Sequence, residues 1–211
     1  MCCKDGAILA VEKAVESKMV LPKSNRRIFT VDKHVGAAVC GNLPDGRQIV
    51  SRAQAEAENY KRFYGLPIPT RVVCDRLANF CHLFSLYWSL RPLGSAAMVA
   101  AFDDAGPHVY LVETNGETYR YKGMAVGKGR QGIKTELERL SLGTMTCQQC
   151  LPQLAKVLLK ARDDSGSDKE FEIEMAWITE DTDRRFVRVP DDLAAAAERD
   201  AKAEIEAEEM E

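Results

Sequence analysis

Cys147 and Cys150 are spaced as C-x-x-C. That spacing serves a redox pair when it opens a helix behind a strand, or supplies half of a zinc site. No second pair completes a zinc set, and the remaining cysteines of an odd total of 7 are scattered. Cys40, Cys74 and Cys81 lie in apolar surroundings and read as reduced, buried thiols of an intracellular protein. The histidines, His34, His82 and His108, fall in a turn, a helix and a strand start, without metal-ligand spacing. No metal and no cofactor is therefore expected. Gly127-Lys128-Gly129-Arg130-Gln131-Gly132 has the G-x-G-x-x-G form and precedes a helical stretch. It lacks the downstream ribose-binding acid of a dinucleotide site and the Gly-Lys-Ser/Thr ending of a phosphate loop. It reads as close packing of a crossover, which leaves Lys128 and Arg130 as cations available to carboxylates of an adjacent subunit.

Nucleophilic chemistry is equally poorly served. No serine stands in a G-x-S-x-G elbow. A terminal Thr, Ser or Cys can use its own amine as base. Cys2 would need Met1 removed, and it lies so close to the first strand that no preceding strand could position it.

Composition sets the frame for these residues. The 211 residues are 45% hydrophobic and 29% charged, enough for one domain with a sizeable core over residues 1–211. A net charge of -3 argues against a nucleic-acid partner. No apolar run approaches the roughly 20 residues of a spanning helix, and no signal-peptide pattern opens the chain, so no membrane association is expected.

The positioning elements follow from periodicity. Gly6–Glu12 reads as a buried strand, with Ser17–Leu21 as a hairpin partner. Arg27–Asp32 and Val35–Cys40 are strands about a Lys33-His34 turn. Two helices follow back to back, at Arg47–Tyr64 and Val72–Leu90. The first turns Ile49, Val50, Ala53, Ala57, Tyr60 and Tyr64 inward and Arg52, Glu56 and Glu58 mostly elsewhere. The second, with Thr70 as N-cap, turns Val73, Leu77, Phe80, Cys81, Phe84 and Trp88 inward. Strands return at Ala96–Phe102 and His108–Val112, and Asn115-Gly116 marks a hairpin into Thr118–Tyr121. Helices are predicted at Lys128–Leu140 and from Thr146, where Thr146 and Gln149 have capping-box spacing and Pro152 demands a kink or a later start. Asp163–Asp168 is a polar loop, Phe171–Trp177 an alternating strand. A last helix opens near 191 and ends in the acidic run Glu204–Glu211, a solvated, frayed end by its charge. This order suggests two sheets face to face with helices on both outer faces.

These segments together resemble one family. Lys4-Asp5-Gly6 with Leu9–Lys13, Asn25–Phe29, Asp32–Gly36, Gly41–Arg47, Arg91-Pro92-Leu93-Gly94, Ala125–Lys128, Lys134–Glu138, Met145-Thr146-Cys147 and Phe171–Trp177 are similar to alpha-type subunits of the eukaryotic 20S proteasome. The subtype at the seventh alpha position is the nearest in pattern, and coverage is essentially the whole chain. The resemblance implies an α+β fold, a four-layer αββα sandwich of the N-terminal nucleophile hydrolase type. It implies a non-catalytic outer-ring subunit of cytoplasm and nucleus. Its partners would be neighbouring alpha subunits in a seven-membered ring, beta-ring subunits, and the C-terminal tails of a regulatory particle or other activator. The helix pair would lie where rings meet.

The resemblance also assigns positions. Arg27 matches the catalytic lysine of beta-type relatives and Glu12 their catalytic aspartate. A guanidinium does not deprotonate at working pH, so Arg27 is no general base. In alpha-type relatives that neighbourhood borders inter-subunit pockets that take activator tails. Arg27 would offer charge to a terminal carboxylate, and Gly41 would allow close backbone approach. The alternative for Arg27 is pairing with acids of its own chain. The family's N-terminal gate segment has no counterpart before Cys3. The competing reading, a catalytic subunit or homomeric protease of the same fold, needs a processed terminal Thr and a lysine near Arg27, and neither is found.

Overall fold

The computed structural model describes residues 1–15, 17–163 and 170–209. Among the described residues, eight strands form two sheets. β1 (Gly6–Ala14), β7 (Phe171–Thr179) and β8 (Val187–Arg188) make the smaller, in the order β1-β7-β8. β2 (Ile28–Asp32), β3 (Val35–Gly41), β4 (Ser95–Asp103), β5 (Gly106–Val112) and β6 (Thr118–Tyr121) make the larger, in chain order. All neighbouring pairs are antiparallel.

Alternation along each strand divides the core into three. Val35, Ala37 and Val39 of β3, with Ala97, Val99 and Ala101 of β4, face α1 (Leu43–Tyr64) and α2 (Thr70–Leu86). Ile8 of β1 and Met175 of β7 face α3 (Arg130–Arg139), α4 (Cys147–Asp163) and α5 (Asp191–Glu209). Ala7, Leu9, Ala38, Ala100, Phe102, Val109, Ala176 and Ile178 lie between the sheets. The layers are helix, sheet, sheet, helix, the αββα arrangement expected.

The helix pair departs from the sequence reading at its ends. α1 begins at Leu43, not Arg47: Pro44 is tolerated in a first turn and Asp45 favours its positive pole. Gly65 ends it, its N–H donating to the Lys61 carbonyl at 2.8 Å. Glu56 is buried rather than turned out, because Arg76 of α2 and Arg52 both bind its carboxylate. Tyr64 is exposed, since the core face stops a turn earlier. Pro69, not Thr70, is the N-cap of α2; the Thr70 hydroxyl instead donates to Asp103 at 2.8 Å. The helix stops at Leu86, with Tyr87 extended, so Trp88 leaves the buried face and is 97% exposed. Pro92 disfavours helix at Arg91, and Arg91 turns back onto Asp45.

Elsewhere, Ser17–Leu21 forms no strand. It is a turn, with the Val20 N–H on the Ser17 carbonyl at 3.1 Å, and β1 pairs with β7. Helix α3 is trimmed to Arg130–Arg139 by the left-handed Gly129. The capping box is realised: the Gln149 N–H meets Thr146 Oγ1 at 3.3 Å, and the Thr146 N–H meets Gln149 Oε1 at 3.0 Å. Of the kink or later start expected, the later start does not occur: helix α4 begins at Cys147 and includes Pro152. Of the expected loop Asp163–Asp168, residues 164–168 lie outside the described residues, and Asp163 closes α4. Of the acidic run Glu204–Glu211, the part through Glu209 is helical, and residues 210–211 lie outside the described residues. Lys156 of α4 binds Glu204 at 2.9 Å and Glu208 at 2.5 Å, and Lys160 also binds Glu208.

Candidate functional site

Arg27 and Gly41 meet. Arg27 directly precedes β2, Gly41 closes β3, and the Val39 N–H donates to the Arg27 carbonyl at 2.9 Å, holding the strand ends together. Arg27 Nη1 then donates to the Gly41 carbonyl at 3.0 Å. That acceptor is neutral, and among the described residues Arg27 makes no ion pair with a carboxylate of its own chain. Its backbone N–H donates to Glu174 Oε2 at 3.0 Å, which leaves the guanidinium itself free of that acid. The charge reaches Cys40: burial pushes that thiol up, and Arg27 opposes the shift.

Gly41 has φ 116°, and a Cβ there would stand 2.3 Å from the Gly94 carbonyl oxygen. The backbone that approaches it closely is thus its own chain's, at the entrance to β4. The part of Gly41 that meets Arg27 is its carbonyl.

A cavity of about 190 Å³ opens beside this corner, between β1, β3 and the loop before α3. Its walls are mainly apolar, from Leu9, Val39, Met98, Val126 and Leu137, and Glu12 and Lys128 bring charge to it. A Cβ at Gly127 would stand 2.9 Å from Cys40 Sγ, so the loop carrying Lys128 is seated one residue from Gly41. Lys128 and Arg130 are both exposed, and among the described residues neither is in an ion pair. The G-x-G-x-x-G segment therefore seats a strand-to-helix crossover.

Glu12 is not brought to Arg27. Its Oε1 accepts from Arg162 Nη1 at 3.0 Å, and Arg162 stacks on the Phe171 ring at 4.1 Å. Glu12 and Arg27 are thus tied to different partners.

The histidines are likewise occupied: His34 at the Ile68 carbonyl at 2.8 Å, His82 at the Asn115 carbonyl at 3.2 Å, and His108 at Asp103 at 2.7 Å. Sequence reasoning missed a buried cation. Lys13 is 5% exposed, donates to the Asn25 carbonyl at 2.8 Å and lies 3.4 Å from both Glu172 and Glu174. Arg188 adds a bond to Glu174 at 2.9 Å. The signal lay in the strand alternation: Lys13 is in register with Glu172 across β1 and β7, with Glu174 on the same face.

Comparison with known proteins agrees with this geometry. A family profile described as Proteasome subunit matches residues 1–178. The chain is 48% identical over 204 residues to a spinach (Spinacia oleracea) protein named Proteasome subunit alpha type-3, covering 97% of this chain and 82% of the relative. An Arabidopsis thaliana protein of the same name is 47% identical with the same coverage. The Schizosaccharomyces pombe protein named Probable proteasome subunit alpha type-7 is 44% identical, over 98% of this chain and 81% of its own length. With the αββα layers, these matches place the chain in the proteasome subunit family, among its alpha-type members.

Proposed function

We infer that this chain is a non-catalytic structural subunit of a proteasome outer ring, and that its Arg27–Gly41 corner receives the C-terminal carboxylate of an activator tail. Its partners are neighbouring alpha subunits, beta-ring subunits and activators. Its place is the cytoplasm and nucleus, and its work is scaffolding and substrate entry in ubiquitin-dependent and ubiquitin-independent protein degradation.

The observation that carries the non-catalytic reading is the pairing at the two positions where hydrolysis would need an acid and a base. Glu12 is neutralised by Arg162, and Arg27 is a guanidinium lying on a backbone carbonyl. A base of that kind cannot take a proton from a nucleophile. What the corner offers is fixed positive charge next to an apolar cavity. A carboxylate with an apolar neighbour on an extended tail fits that combination. Lys128 and Arg130 supply exposed charge to an adjacent subunit across the same edge.

The test is co-expression of the tagged chain with the other ring subunits, followed by native mass spectrometry and a peptidase assay. The chain is expected in a ring-containing particle, with no peptide hydrolysis by the isolated chain. An isolated chain that hydrolyses peptides overturns the reading.

A further inference from the structure

Three thiols converge at the start of α4, away from the Arg27 corner. Two backbone anchors bring them together: the Lys4 N–H donates to the Met145 carbonyl at 3.0 Å, and the Cys147 N–H donates to Asp5 Oδ1 at 2.7 Å. Between these anchors and the Cys3 N–H bond to the Gly6 carbonyl at 2.7 Å, Cys3 turns into the core under α3 and α4. Cys147 is the first residue of α4 and Cys150 stands one turn on, on the same face. The Cys147 sulfur lies so near β1 that a Cβ at Gly6 would be 3.0 Å from it. Cys3, Cys147 and Cys150 are all buried and share one apolar cluster under α3 and α4. A disulfide needs Cα atoms within about 7 Å, and the bonds from residues 4 and 5 to Met145 and Cys147 hold Cys3 beside the start of α4.

We propose that Cys3, Cys147 and Cys150 form an oxidisable thiol cluster, in which hydrogen peroxide converts Cys3 and one of the two α4 cysteines into a disulfide that ties residues 1–5 to α4. The sulfur of one thiolate attacks a peroxide oxygen, the O–O bond breaks, and water leaves after protonation, giving a sulfenic acid. A second thiol attacks that sulfur and expels the oxygen as a second water. Both sulfurs are oxidised by two electrons in total, and one peroxide is reduced to two waters. The third thiol stays reduced and available for exchange.

The closed cluster restrains this reaction. Cys147 beside it, and then burial, push the Cys3 thiol up to about 12 against the opposing effect of Cys150, so the reactive thiolate is scarce. Reaction therefore follows local opening of residues 1–5, which the Asp5–Cys147 bond opposes.

The experiment treats the full chain with graded peroxide, blocks free thiols with an alkylating agent, and maps peptides by mass spectrometry. A peptide joining Cys3 to Cys147 or Cys150, short by two hydrogens, is expected. Asp5→Ala keeps every thiol and removes one anchor. It should speed cross-linking about fivefold, the effect of one hydrogen bond on an opening equilibrium. Three outcomes overturn the proposal: all three thiols stay reduced at a dose that oxidises half-exposed Cys2; the disulfide excludes Cys3; or Asp5→Ala leaves the rate unchanged.

Discussion

Arg91 closes on Asp45 with two parallel hydrogen bonds, Nη1 to Oδ2 at 2.7 Å and Nη2 to Oδ1 at 2.8 Å, and joins the loop leaving α2 to the first turn of α1. The Gly94 N–H adds a third bond to Oδ2 at 2.8 Å. Arg91, then Gly94, hold the Asp45 carboxyl at about 2. A folded-state value below the unfolded one of about 3.9 stabilises the protein above that unfolded value, and the contribution is lost as pH falls through about 2. Asp45→Ala is expected to lower Tm by about 3–6 °C at neutral pH. Differential scanning calorimetry at pH 7 and near pH 2 checks it: the deficit of the variant should shrink in acid.

Lys13 is enclosed between two carboxylates at the end of the inter-sheet layer. Removing one member of a buried charge cluster leaves the others uncompensated, at about 3 kcal/mol. Lys13→Met should cost about that much in urea unfolding. Lys13→Met with Glu172→Gln should recover part of the loss, since Arg188 still serves Glu174. A double variant no more stable than Lys13→Met would show that the cost is one of packing.

Because the Arg27 guanidinium, among the described residues, lies on a neutral carbonyl and its backbone bonds survive truncation, loss of the side chain should leave the fold nearly untouched. Arg27→Ala in an assembled particle should weaken binding of a labelled peptide with a free C-terminal carboxylate about tenfold or more, from loss of a charge-assisted bond. Arg27→Lys should retain part of the affinity, and amidating the peptide terminus should remove the difference. Fluorescence anisotropy reads all three. Equal affinity for wild type and Arg27→Ala would remove the carboxylate pocket from consideration.

Trp88 projects beyond α2 beside exposed Leu86 and Tyr87, while Trp177 packs against the α4 side of the smaller sheet. In a Trp177→Phe chain, Trp88 is the sole tryptophan. Its emission should be that of water-exposed indole in the isolated chain and should shift to the blue on incorporation into a particle. An unchanged spectrum after assembly would mean that this end of the helix pair stays open to solvent.

Much of the fold is legible because local pattern and tertiary fate agree. Gly6–Glu12 and Val35–Cys40 are apolar enough to be strands in any packing, and Asn115-Gly116 and the Thr146–Gln149 capping box act over a few residues. Failures occur where a distant partner decides. Nothing near Ser17–Leu21 reveals that β1 pairs with β7, where Gly6 faces Thr179. The apolar spacing through Trp88 continues a helical stripe, but the turn of Arg91 back to Asp45 cuts the helix short. At the candidate site, Arg27 and Gly41 came from family resemblance, and strand pairing then explains their meeting. The Glu12–Arg162 pair joins β1 to α4, a contact that depends on how the outer layer lies on the sheet.

The seam between the two sheets has a mechanical meaning. Ala7, Ala38, Ala100 and Ala176 bring methyl groups to it, and a methyl group has no alternative rotamer to adopt. Where these alanines meet, displacement of one sheet cannot be taken up by side chains re-settling; the larger Leu9, Phe102, Val109 and Ile178 of the same seam keep rotamer freedom. A push on the α1–α2 face should therefore pass to the α4–α5 face chiefly through these alanine contacts. In a stacked barrel such a block would behave as a stiff strut, carrying load between whatever rests on its two sides.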